Sequence, residues 1–103
     1  MTVEVRTTQR FERWLEALKD RQARVKILFA IRKLSLGNLG DLKPVGEGVS
    51  ECRIHAGPGY RLYFVRRGQK VLVLLCGGDK SSQDADIRLA RCLSKEVKSD
   101  DHG

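Results

Sequence analysis

At 103 residues, 41% of them hydrophobic, the chain suits a single packed domain spanning 1–103 and is too apolar for a disordered tail. Its longest purely apolar run, Val71 to Cys76, falls far short of the ~20 residues of a spanning helix. Charged Glu4, Arg6, Arg10 and Glu12 interrupt any signal-like opening, so a cytoplasmic chain with no membrane partner is expected. Twenty Lys and Arg against 13 Asp and Glu give +7, which suits a polyanion or an acidic protein, although solubility alone accounts for it equally well.

Thr2 to Arg6 alternates and predicts a short strand. Phe11, Trp14, Leu15 and Leu18 then fall at helical spacing, with Thr7 or Thr8 as cap. Asp20 is expected to cap a second helix built on Ala23, Ile27, Ala30, Ile31 and Leu34 and stopped by Gly37. So short a link predicts an antiparallel helical hairpin. Asn38 to Gly48, with three glycines and Pro44, reads as a surface loop. Three strands are predicted next, Val49–His55, Tyr60–Arg66 and Lys70–Cys76, the last apolar on both faces as a central strand should be. Gly77-Gly78 ends it. Ser81 or Ser82 caps a final helix whose buried stripe is Leu89, Ala90, Leu93 and Val97, Ser81 with Asp84 having capping-box spacing. From about Ser99 the tail is expected to fray.

Positive charge gathers in two stretches. Arg6 to Lys33 hold nine basic residues against three acids, and Val49 to Lys80 six against two, while four bases meet five acids from Ser81 onward. The cysteines, Cys52, Cys76 and Cys92, are odd in number and lack C-x-x-C spacing, which argues against a disulfide framework or a zinc site. With only His55 and His102 as histidines, neither a metal nor another cofactor is expected.

Alternation sends Cys52 and Ile54 to one face and Glu51, Arg53 and His55 to the other. On the next strand Leu62 and Phe64 part from Arg61, Tyr63 and Val65. A five-residue turn from Ala56 to Tyr60 would set His55 opposite Arg61 and Arg53 opposite Tyr63. A four-residue turn would drive Arg61 into the core, where an unpaired guanidinium costs several kcal/mol. The odd turn therefore predicts an open face carrying Arg53, His55, Arg61 and Tyr63. A solvated face with Glu51 neutralising Arg53 is the plainer reading, but two arginines, a histidine and a tyrosine together favour a phosphate site. Gly77 to Ser82 places a lysine, Lys80, at the start of the last helix, where amide groups can also meet phosphate. It lacks Walker spacing, and Asp79, Asp84 and Asp86 would repel an anion.

The segments Glu51-Cys52-Arg53-Ile54, Gly57-Pro58-Gly59-Tyr60-Arg61-Leu62-Tyr63-Phe64 and Leu75-Cys76-Gly77-Gly78-Asp79-Lys80-Ser81-Ser82 resemble those of RelE/HigB-like toxins of bacterial type II toxin–antitoxin modules. More narrowly they resemble the addiction-module killer proteins related to phage Gp49. The resemblance covers nearly the whole chain. It implies an α+β fold of the microbial ribonuclease type, with an N-terminal strand, helical hairpin, antiparallel sheet and C-terminal helix. It implies a ribosome-dependent endoribonuclease that cuts mRNA without metal and is silenced by a cognate antitoxin, expected to be a small helix-turn-helix protein through which alone operator DNA is reached. Arg53, His55, Arg61 and Lys80 match the positions that carry chemistry in the family, with His55 as base, the arginines on the phosphate and Lys80 on developing charge. Tyr63, Arg66, Arg67 and Ser81 would contact RNA, and Arg13, Arg21 and Arg24 on the basic hairpin would meet the antitoxin. A ParE-like poison of DNA gyrase and a co-repressor module are the competing functions.

Overall fold

The computed structural model describes residues 2–38 and 40–99. Its elements are β1 (Glu4–Thr7), α1 (Gln9–Ala17), α2 (Arg21–Ser35), β2 (Leu42–Gly46), β3 (Val49–Ile54), β4 (Tyr60–Arg67), β5 (Val71–Asp79), a short 3-10 turn (Lys80–Ser82) and α3 (Gln83–Ser99). The strands form one sheet in the order β1-β5-β4-β3-β2. β1 runs parallel to β5 and the other pairs are antiparallel. The α+β expectation, with its strand, hairpin, antiparallel strands and last helix, is what the chain adopts.

The helical hairpin forms as its caps dictate. Thr8 accepts the Phe11 amide at 3.1 Å and Asp20 accepts the Ala23 amide at 3.1 Å. One face of the sheet packs on this hairpin, burying Phe11, Ile27 and Leu34 against Cys52, Ile54, Leu62, Phe64, Leu72 and Leu74. The other face packs on α3, burying Tyr63, Val65, Val73, Leu75 and Cys76 with Ala90, flanked by Leu89, Leu93 and Val97. The split of odd and even residues on β3 and β4 is thus the one alternation demands. The face expected to be open is instead roofed by α3, because that helix's apolar stripe needs a partner and only this face remains. No helix among the described residues is long and apolar enough to cross a membrane.

Four local expectations are corrected. Residues 42–46 are not loop but an edge strand, the kind of strand that tolerates a proline, and a bulge separates Pro44 from Gly46. The β3–β4 register pairs Arg53 with Arg61 and Glu51 with Tyr63, not His55 with Arg61. The five-residue loop is residues 55–59, one earlier than expected. It is closed by the Gly59 amide on the Ala56 carbonyl (3.0 Å), with Gly57 and Gly59 at φ 52° and 84°. β5 runs on through Gly77 and Gly78 to Asp79. It bulges opposite Tyr63, so that Leu75 and Cys76 both face α3. Finally Asp79, not a serine, caps the turn into α3, its carboxylate accepting the Ser81 amide at 2.9 Å. The expected fray of the tail falls, past Ser99, on residues outside those described, as does His102.

Candidate nucleic-acid interface

The register collects charge at one end of the sheet. Arg53 and Arg61 stand directly opposite each other, and Arg61 in turn faces Gly78 on β5. Like charges so paired are mildly destabilising. Beneath them lies Glu51, fully buried. Its Oε1 is 3.6 Å from Arg53 Nε and its Oε2 is 3.8 Å from Arg61 Nε. Oε2 also accepts hydrogen bonds from the Tyr63 hydroxyl and the Gln83 amide, both at 3.0 Å. The arginine contacts are too long for hydrogen bonds, and both Arg61 Nε and Glu51 Oε1 are buried without one. One carboxylate thus holds two cations in place without neutralising both. Arg61 is further aimed by Nη1 donating to the Gly59 carbonyl at 3.0 Å. Its side chain is 12% exposed, against 41% for Arg53.

Lys80 follows directly on β5 and is exposed. It shares a shallow surface depression with Ser82, Gln83 and Arg88. Asp84 lines the same depression, and two further carboxylates flank this corner. The Ser81 hydroxyl holds Asp79 below the usual carboxylate range, with Arg61 adding to the effect. Asp86 is pushed up by burial and by Asp79, against a hydrogen bond of 2.6 Å from Ser82.

His55 is the first residue past β3, so strand alternation no longer governs it. Its ring is well exposed, with Nε2 3.3 Å from the Asp41 carboxylate. With Nε2 donating there, Nδ1 remains an acceptor. It lines a groove between α2 and β3, which Arg53 also lines. Arg53 therefore lies between the two halves of the site, opposite Arg61 and two residues from His55.

Several expected site residues lie elsewhere. Tyr63 has no exposure and cannot stack on a base. Burial foremost, then its bond to Glu51, holds its hydroxyl far above the usual range, so it stays a donor. Arg66 and Arg67 sit at the opposite end of β4, opposite Leu72 and Val71, which at strand spacing is roughly 17 Å from Arg61. Ser81 directs both its amide and hydroxyl to Asp79. Arg24 donates to the carbonyls of Leu15 and Glu16 at 3.3 and 3.2 Å, tying α2 to the end of α1. Arg13 lines a different cleft, between α1 and α3, with Trp14 and Asp86. Gln83 and Arg88 had no signal in the sequence, since helical periodicity marks apolar positions and not polar ones.

Residues 13–95 match the model of a family described as phage derived protein Gp49-like. An uncharacterized protein of Haemophilus influenzae is 45% identical over 97 residues, 94% of this chain and 98% of its own. Among solved structures, a chain of the toxin–antitoxin complex RelBE2 from Mycobacterium tuberculosis is similar with a TM-score of 0.60 at 25% identity, over 78% of this chain and 100% of that one.

Proposed function

The chain belongs to the Gp49-like family of phage-derived proteins and is a RelE-like toxin by family and fold; from that premise we propose that it is the toxin of a type II toxin–antitoxin pair, acting in the cytoplasm as a metal-independent, ribosome-dependent mRNA endoribonuclease silenced by its antitoxin. The observation that carries this reading is the opposed pair Arg53 and Arg61 over a single buried carboxylate. A buried ion pair is weak support for stability. A cluster that leaves guanidinium groups short of partners at a surface is suited to an anion.

Cleavage needs a base for the 2′-hydroxyl, positive charge for the phosphorane and an acid for the 5′-oxygen. His55 takes the 2′-hydroxyl proton through Nδ1, its ring oriented by Asp41. The 2′-oxygen attacks phosphorus and the bond to the 5′-oxygen breaks. Arg53 and Arg61 bind the equatorial oxygens. Lys80 faces the developing charge and supplies the proton to the leaving 5′-oxygen.

The test is mapping of mRNA 5′ ends in cells expressing the protein or its variants. Arg53→Ala and Arg61→Ala should each lower cleavage at least a hundredfold, and His55→Ala comparably. Arg53 is half exposed, so its variant keeps the fold and serves as control for the more buried Arg61. Codon-linked ends that persist in Arg53→Ala would overturn the reading. Intact mRNA with double-strand DNA breaks would replace it by a gyrase poison.

A further inference from the structure

β1 ends opposite Leu74, so among the described residues no strand pairs with the outer edge of β5 from Leu75 to Asp79. Along that edge runs a cleft of about 510 Å³ between α1 and α3. Arg10 and Arg13 line it from α1, both exposed, and neither is paired with a carboxylate among the described residues. Trp14, the chain's one tryptophan, lines it beside them. Its ring is held by Phe11 at 5.7 Å, by Tyr60 edge-on at 6.3 Å, and by Gly77, whose Cβ would stand 2.5 Å away. The indole N–H has no acceptor among the described residues, although a buried indole usually finds one. From α3, Asp86 lines the same cleft with a half-buried carboxylate. The Ser82 hydroxyl donates to one of its oxygens at 2.6 Å, which leaves lone pairs for further donors.

These groups narrow the ligand. A bare phosphate suits the arginines but is repelled by Asp86. A cationic side chain suits Trp14 and Asp86 but is repelled by the arginines. A nucleotide satisfies all of them, with its base on the indole, its phosphate on the arginines and a donor edge for the carboxylate. Among the four bases only guanine presents two adjacent donors, N1–H and the N2 amino group. We propose that this cleft is a guanine-binding subsite, Asp86 selecting the base, Trp14 stacking on it and Arg10 and Arg13 holding its phosphate. That the guanine belongs to the RNA substrate rests on the nuclease reading; the chemistry of the cleft does not. Asp86 Oδ2 occupies the space of the missing Gly78 Cβ, and Gly78 is the cross-strand partner of Arg61. The subsite therefore adjoins the arginine pair, and cuts should fall beside guanines.

Trp14 fluorescence reads occupancy directly. Guanosine monophosphate should quench it at a concentration about tenfold below that of the adenosine, cytidine and uridine nucleotides, the worth of one hydrogen bond to a charged group. Inorganic phosphate should leave it unchanged. Asp86→Asn keeps the shape and an acceptor for Ser82, but offers an amide that suits adenine. It should reverse the order, weakening guanosine monophosphate tenfold and strengthening adenosine monophosphate, with the fold verified by circular dichroism. A merely structural Asp86 would weaken all four alike. Arg13→Ala should weaken all four equally. Equal quenching by the four nucleotides, or an unchanged guanine preference in Asp86→Asn, would overturn the subsite. A short oligonucleotide containing guanine should bind at least tenfold tighter than the free nucleotide; equal affinity would overturn the assignment to RNA in favour of a free nucleotide. Quenching needs no cleavage. Guanine preference without cut mRNA keeps the subsite and removes the nuclease, and cut mRNA with no guanine preference does the reverse.

Discussion

Glu51 shows how much one buried carboxylate determines at the residue scale. It accepts from Tyr63 and Gln83 and stands under Arg53 and Arg61, tying β3, β4 and α3 together. Glu51→Ala strands two donors and a nearly buried guanidinium. It should cost about 3–5 kcal/mol, as removal of one partner from a buried pair does, and lower the urea midpoint accordingly. Glu51→Gln keeps an acceptor for Tyr63 and should cost about half of that. Equal losses would mean that the charge, not the hydrogen bonds, matters. In sequence Glu51 reads as a surface neutraliser of Arg53. Alternation names the residues that share a face but not the layer that covers it, so the burial of Glu51 and Tyr63 under α3 was not legible. The thiols differ in the same local way. Burial pushes Cys52 up to about 11 and Cys76 to about 12, whereas Cys92 is exposed. A disulfide-exchange reagent at neutral pH should modify Cys92 alone in the folded protein, the other two reacting only after denaturation.

Among elements, β5 is the one whose sequence misleads most. Gly77-Gly78 reads as a strand terminator, yet both lie inside the strand because other side chains occupy the space of their missing Cβ atoms. A Cβ at Gly77 would stand 2.5 Å from the Trp14 ring, and one at Gly78 would stand 1.8 Å from Asp86 Oδ2. Gly77→Ala and Gly78→Ala should each destabilise by about 1–3 kcal/mol through overpacking, and Gly77→Ala should also shift Trp14 fluorescence. Gly68→Ala has open space and only a positive φ against it, so about 1 kcal/mol suffices. A loss at Gly77 no larger than at Gly68 would refute the close packing. The starts of the first two helices, by contrast, were legible, to within a residue for α1 (Thr7 or Thr8) and at Asp20 for α2, since such caps act locally, whereas the turn into α3 was read as capped by a serine and is capped by Asp79. β2 was not, because Pro44 and Gly46 suppress any strand pattern and only pairing with β3 makes it one. Within the candidate site, Arg53 and Arg61 were legible as sharing a face, because odd-turn parity fixes it, but not as directly opposed, because the turn begins one residue earlier than expected. His55 was not, because it lies one residue beyond the strand.

At the scale of the whole molecule, protonation and charge set how the protein responds to its medium. Cys52, Cys76 and Tyr63 all hold their protons more tightly when folded than their ordinary values allow. The unfolded chain releases them first as pH rises, so the stability they contribute is whole below about 9 and declines toward 11–12, the printed folded values for the thiols. Urea midpoints measured from pH 8 upward should fall, and fall less in Cys76→Ala. The net charge of +7 adds a second response. Binding to single-stranded RNA should weaken as a power of salt concentration, the exponent being about 0.7 for each phosphate contact. Arg53, at the site, and Arg66, at the far end of the sheet, carry equal charge and differ only in place. Arg53→Ala should therefore flatten the salt slope by about 0.7 while Arg66→Ala leaves it nearly unchanged, as measured by anisotropy on a short oligonucleotide. Equal flattening by both would mean that RNA follows the overall field and that the arginine pair is not where its backbone rests.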